Sequence, residues 1–253
     1  MPDVAVVTGG SSGIGAAIAR KLAEKGWHCV LIARGEERLR ALAGELDAEW
    51  ETCDVGDREA VDRTAAAIRK RHPAIKLLVN DAGIRGRGGF LRAEPERIDE
   101  VTRTNYFGGV WCLRAFLPAL KAATPSHLVN VVSVAGTVTA GEAGPYTASK
   151  HAQLSFSRSS RSELRPYGIR VHTVLPGFVE TEGFPQLARF ENRLVRALVV
   201  EPELVAERVV RAVERDRREL FVPRWYRVAP LAQAFAPGLV ARLGRRGIRP
   251  AGD

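Results

Sequence analysis

A chain of 253 residues with 45% hydrophobic and 26% charged content is long enough to bury one large α/β core, and its composition excludes disordered, fibrous and disulfide-built classes. The net charge of +9 is concentrated near the end: nine arginines (Arg215, Arg217, Arg218, Arg224, Arg227, Arg242, Arg245, Arg246, Arg249) face only Asp216 and Glu219 there. That distribution reads as a solvated basic tail and argues against a nucleic-acid partner.

Residues 3–7 (DVAVV) and 27–33 (WHCVLIA) are short, β-branched and apolar, the pattern of strands buried on both faces of a parallel sheet. Between and after them, Ile14, Ile18 and Leu22, then Leu39, Leu42 and Leu46, recur at helical steps, so strands and helices alternate through at least Asn80. Apolar runs at 76–79, 128–132, 169–175 and 220–222 continue the rhythm to about seven strands. Alternation of this kind predicts an α/β, doubly wound parallel sheet with helices on both faces and a ligand crevice at the carboxyl ends of the strands. The rhythm stops at Pro223, so 1–224 is read as the binding and catalytic domain and 225–253 as its basic amphipathic tail.

Thr8 to Gly15 (TGGSSGIG) follows the first strand and opens the first helix. Gly9, Gly13 and Gly15 let backbone approach a pyrophosphate, while the amides around Ser11, Ser12 and Ile14 lie at a helix N-terminus that favours negative charge. The second strand ends Ile32-Ala33-Arg34, with no carboxylate to accept a ribose 2′-hydroxyl. Arg34 is suited to a 2′-phosphate, so NADP(H) is favoured over NAD(H).

Tyr146 and Lys150 stand four residues apart in a helical pattern, so both project from one face. A phenol of ordinary pKa ~10 is a poor proton shuttle near neutrality, and a neighbouring ammonium is expected to lower it. No spacing among His28, His72, His127, His151 and His172 suggests a metal centre, and none is expected.

These residues resemble the short-chain dehydrogenase/reductase family from Val4 to about Val222. The resemblance rests on the glycine loop at 8–15, Asp54-Val55, Asn80-Asp81-Ala82-Gly83, Asn105, Ser133, the Tyr146/Lys150 pair, and Pro176-Gly177 followed by Thr181. It implies a Rossmann-like fold and hydride transfer between NADP(H) and a carbonyl or alcohol carbon of a small molecule. It further implies that Ser133 bonds the substrate oxygen, Tyr146 moves the proton, Lys150 tunes the tyrosine and binds ribose, and Asn105 holds a relay water. Asp54 and Val55 would flank adenine, Asn80, Ala82 and Gly83 the adjoining ribose, and Pro176, Gly177, Val179 and Thr181 the nicotinamide.

Two departures stand out. Asp81 occupies a position where the family usually carries asparagine, so packing at the end of the fourth strand is expected to differ without loss of activity. The chain also continues Phe221-Val222-Pro223-Arg224-Trp225-Tyr226 in place of a glycine-rich ending, so a homodimer is expected, with a tetramer left open. Specificity should come from 84–95 and from 178–200, where Phe184, Leu187, Phe190, Leu194 and Leu198 suggest a lipophilic substrate. Trp225, Tyr226, Phe235, Leu239 and Leu243 interleaved with arginines suit either peripheral contact with an anionic membrane or docking on the domain or a second copy. The scattered cysteines Cys29, Cys53 and Cys112, the lack of a leader-like start and the two prolines within 228–241 make a cytoplasmic protein without a spanning helix the expectation. Rival readings of the same fold are a non-catalytic NADP(H) redox sensor and a membrane-associated scaffold.

Overall fold

The computed structural model describes residues 2–86, 88–139, 144–187 and 193–247. Its strands are β1 (Val4–Thr8), β2 (His28–Ala33), β3 (Glu49–Thr52), β4 (Leu77–Asn80), β5 (Ser126–Val131), β6 (Ile169–Pro176) and β7 (Glu219–Val222). They form one parallel sheet in the order β3-β2-β1-β4-β5-β6-β7. The order turns between β1 and β4, which opens a crevice at their carboxyl ends.

Helices α1 (Gly13–Ala23), α2 (Glu36–Leu46), α3 (Arg58–Arg71), α4 (Pro95–Thr102), α5 (Gly108–Ala122) and α6 (Gly144–Leu164) fill the crossovers, and the short α7 (Arg193–Arg196) and α8 (Pro202–Glu214) precede β7. Period-two alternation divides each strand between two cores. Ala5, Val7, Leu77 and Val79 join α1, α2 and α8 on one face, whereas Val6, Leu78 and Leu128 join α3 and α5 on the other. Phe116 of α5 is 1% exposed, so truncating it to alanine would cost about 3–5 kcal/mol.

The sequence marks six of the seven strands as apolar runs, each displaced by a residue or two. It does not mark β3. That strand reads Glu-Trp-Glu-Thr at the sheet edge, where one neighbour and partial exposure remove the demand for an apolar run. Past β7, a 3-10 turn (Arg224–Val228) leads to α9 (Ala229–Phe235) and α10 (Pro237–Gly247). No described helix is long and apolar enough to cross a membrane.

Two histidine pairings are invisible to sequence spacing. His127 and His172 lie on neighbouring strands with Nδ1 and Nε2 2.9 Å apart. The Arg217 carbonyl accepts from His172 Nδ1 at 2.7 Å, which leaves His172 Nε2 as the acceptor for His127. His28 and His72 instead converge on Glu49.

Candidate active site

The crevice is a cavity of about 1020 Å3 that runs from Arg34 and Arg38 past the glycine loop to Ser133 and Tyr146 and ends against Trp225, Ala232 and Val240. Its first third is backbone. Gly9 and Gly13 hold φ of +70° and +54°, a region open to glycine at little cost. A side chain at Gly15 would sit 2.3 Å from the Gly9 carbonyl, so α1 is pressed directly onto the loop. Ser12 caps α1 without a side-chain hydrogen bond, which leaves the Gly13 and Ile14 amides for an anion, the Gly15 amide being taken by Asp81.

Arg34 follows β2 with Nη1 3.5 Å from Glu100 and 3.9 Å from Asp54, and its side chain remains 54% exposed. Arg38, one turn into α2, also borders the cavity and pairs with Glu182 at 2.7 Å. Sequence reasoning overlooked Arg38; its place in the helix that follows Arg34 was the available signal. Asp54 accepts from the Gly56 amide at 2.9 Å, and Asp54 and Val55 line the same end.

Asn80 behaves differently from expectation. Its amide donates to the Gly109 carbonyl and to Asn130 Oδ1, at 3.2 and 3.0 Å, tying β4 to α5 and β5 behind the cavity wall rather than lining it. Ala82 and Gly83 do line the cavity, as do Pro176, Gly177, Val179 and Thr181.

Ser133 lies just past β5, and its hydroxyl accepts from the Ala135 amide at 3.1 Å and donates to the Pro176 carbonyl at 3.5 Å, lining the cavity together with Tyr146. Tyr146 and Lys150 share a face of α6, with Lys150 Nζ 5.8 Å from the tyrosine ring centre. The ammonium donates to Gln153 Oε1 at 2.7 Å and to the Val131 carbonyl at 3.3 Å, not to the phenol. Gln153 therefore anchors Lys150 from behind the cavity wall, and its place one turn beyond Lys150 was the signal that could have revealed it.

The expected lowering of the Tyr146 pKa is not found. Burial pushes the phenol up to about 12; the Ser133 hydrogen bond opposes this and the Asp81 carboxylate adds to it. Asp81 is half-buried in the cavity wall, and desolvation holds its carboxyl far above the usual range despite the Lys150 ammonium and the Gly15 amide. Burial conversely lowers Lys150, with Asp81 partly restoring it. A neutral amide at position 81 would exert neither charge effect.

Asn105 sits in a π-helical turn (Arg103–Phe107) between α4 and α5. Its Oδ1 accepts from the Ile84 amide at 2.7 Å, and its Nδ2 donates to the Ile84 carbonyl and to Ser149 Oγ, each at 3.0 Å. Both amide protons are committed; one lone pair on Oδ1 is left. Gly83 lies between Asn105 and Lys150, for a β-carbon there would be 3.4 Å from Asn105 Oδ1 and 3.7 Å from Lys150 Nζ.

The far wall is apolar: Val138, Phe178, Phe184, Leu198, Trp225 and Tyr226. Phe184 packs against Tyr146 with ring centres 5.7 Å apart. Tyr226 lies so close over Gly177 that any side chain there would collide with its ring. Of the specificity residues expected from sequence, Phe184 and Leu198 reach the cavity. Phe190 and the side chains of Leu194 and Leu243 lie outside the described part.

Against this geometry, the profile of the family described as short chain dehydrogenase matches residues 3–192. The chain belongs to the short-chain dehydrogenase family. As a member it is an oxidoreductase, and its relatives include a putative ketoacyl reductase of Streptomyces coelicolor, 38% identical over 71% of this chain and 71% of the relative. Dehydrogenase/reductase SDR family member 7B of Xenopus laevis is 33% identical over 87% of this chain and 73% of its own. Among solved structures, an actinorhodin polyketide ketoreductase with NADPH superimposes with a TM-score of 0.79 at 30% identity, covering 87% of this dehydrogenase and 95% of that chain.

Proposed function

We propose that this protein is an NADPH-dependent reductase of lipophilic ketones or aldehydes. The observation that carries the reading is that Ser133, Tyr146 and Lys150 line one cavity that is glycine-lined and arginine-bordered at one end and apolar at the other. The bound nicotinamide would supply the hydride.

The residues present fit such a dinucleotide. Gly9, Ser11, Ser12, Gly13 and Ile14 offer the backbone cradle for the pyrophosphate, where added β-carbons at Gly9 or Gly13 would meet Ala82 or Thr181 at 2.9 and 3.1 Å. Arg34, with Arg38, would hold the 2′-phosphate, and Asp54, Val55, Ala82 and Gly83 the adenosine. Ser133 and Tyr146 would donate to the substrate oxygen, and Tyr146 would release its proton as charge develops there. Lys150, anchored to Gln153, supplies positive potential close to that oxygen and a donor to ribose. Asn105 keeps one acceptor position for a water next to Lys150.

The apolar wall supports a lipophilic substrate. A panel measured by loss of NADPH absorbance tests this: long aliphatic and polycyclic ketones should be reduced with higher kcat/KM than small polar sugars. Equal turnover of both groups would remove the lipophilic reading while leaving the chemistry.

Beyond the cavity, Trp225, Val228, Leu231, Phe235 and Leu239 are exposed on a tail that also carries Arg224, Arg227 and Arg242. This face is read as a contact surface for an anionic membrane or a second copy of the chain. Exchange of both Phe235 and Leu239 for aspartate should abolish sedimentation with anionic vesicles in the first case and halve the particle mass in size-exclusion chromatography in the second. If the exchange alters neither, the face has neither role.

A further inference from the structure

At the amino edge of the sheet, opposite the cavity, three residues distant in sequence meet. His28 begins β2, Glu49 begins β3, and His72 caps the end of α3. Nε2 of His28 and Nε2 of His72 lie 3.0 and 2.7 Å from the same oxygen, Glu49 Oε1. The two imidazole rings are tilted by 43° with centres 5.2 Å apart, and the three candidate ligand atoms all fall within 4.8 Å of one another. The other carboxylate oxygen is occupied: Arg71 Nε donates to Glu49 Oε2 at 2.8 Å, while its Nη2 reaches Glu51 at 2.7 Å.

We propose that His28, Glu49 and His72 form a three-ligand site for a divalent transition cation of the zinc class. Two imidazole nitrogens and one carboxylate oxygen are a donor set suited to Zn2+, with a fourth position open to water. Bond lengths of roughly 2.0–2.1 Å in a tetrahedron place ligand atoms about 3.3 Å apart, so the histidine nitrogens, now 3.0 and 2.7 Å from Glu49 Oε1 and within 4.8 Å of one another, need to shift by roughly half an ångström. Arg71 does not compete for the ligand oxygen. It pins the carboxylate from behind, the outer-shell arrangement that orients ligating carboxylates, and Glu51 offsets its charge. Cys29 takes no part, because strand alternation turns its thiol to the Ala19 carbonyl on the opposite face. The cation would clip the four-residue edge strand β3 to β2 and α3, stabilising the fold at a distance from the chemistry.

The test uses the full untagged chain, stripped with a chelator and titrated with Co2+ and then Zn2+. The expected result is saturable uptake of one ion per chain, a visible absorption band of four-coordinate Co2+ that Zn2+ bleaches, and a melting temperature that rises with Zn2+. His28→Gln and His72→Gln should each lose the band and the zinc-dependent rise, whereas His151→Gln keeps both. Circular dichroism checks that the variants fold, and should one fail, the other carries the comparison. Uptake that survives both substitutions, or no saturable uptake by the unaltered chain even in large metal excess, overturns the site and identifies the cluster as a hydrogen-bonded brace.

Discussion

Two parts of the cavity lining are built on different terms. Around Tyr146, almost every polar group is already committed inside the protein: Lys150 to Gln153 and Val131, and Asn105 to Ile84 and Ser149. The opposite wall, from Phe178 to Val240, offers mainly apolar surface, anchored by sparse bonds such as Thr139 N to Gln233 Oε1 at 3.0 Å and Phe178 N to the Tyr226 hydroxyl at 3.5 Å. Reaction geometry requires donors held to fractions of an ångström, which a closed polar network supplies. Choice of substrate requires area and shape, which can vary without disturbing that network.

Damage to each part therefore has its own signature. The largest effect is expected from Tyr146→Phe, which removes the proton donor and should lower kcat by roughly 10²–10⁴-fold. NADPH affinity, measured by fluorescence titration, should stay near that of the unaltered protein; full activity in this variant would end the proposal. Arg34→Asp should come next, raising the KM for NADPH by about 10–100-fold through loss of charge-assisted bonds while leaving the KM for NADH little changed. Equal shifts for both cofactors would place Arg34 outside the phosphate site.

Gly177→Ala probes the apolar wall, since its new methyl would overlap the Tyr226 ring. A loss of about 1–3 kcal/mol in urea unfolding is expected, partly relieved when Tyr226→Ala is added, because the three nearest atoms all belong to that ring. Additive losses would mean that the tail does not pack there.

The smallest effect concerns pH. The Asp81 carboxylate raises both Lys150 and Tyr146. Replacing it with neutral asparagine should therefore let Lys150 lose its proton at lower pH, and the alkaline fall of the reduction rate should move down the pH scale. An unmoved profile would show that Lys150 does not set that limb.

Legibility in the sequence followed the same division. Interior strands announced themselves because burial on both faces demands apolar runs, as in Val4–Thr8 and Leu77–Asn80. The edge strand Glu49–Thr52 did not, for its glutamates answer to histidines and an arginine far along the chain. The short glycine and Tyr-x-x-x-Lys signals were readable because their function depends on local spacing. The orientation of Lys150 toward Gln153, and the raised phenol that accompanies it, depend on which groups share one enclosed pocket, which no linear spacing reports. The packing of Tyr226 over Gly177 was hidden for a similar reason: Tyr226 lies 48 residues beyond Phe178, whose amide it accepts from, on a separate element.

The wide turn at Arg103–Phe107 leaves a mark on what this chain can lose. A π turn holds one residue more than an α turn, so discarding one of those five positions would close the segment into regular winding with α4 and α5 keeping their faces, and the change of register would fall on the turn itself. Asn105 would then lose its aim at Ile84 and Ser149. A single-codon deletion there is thus more damaging than many substitutions, and the length of this segment is as much a part of the site as the identity of its asparagine.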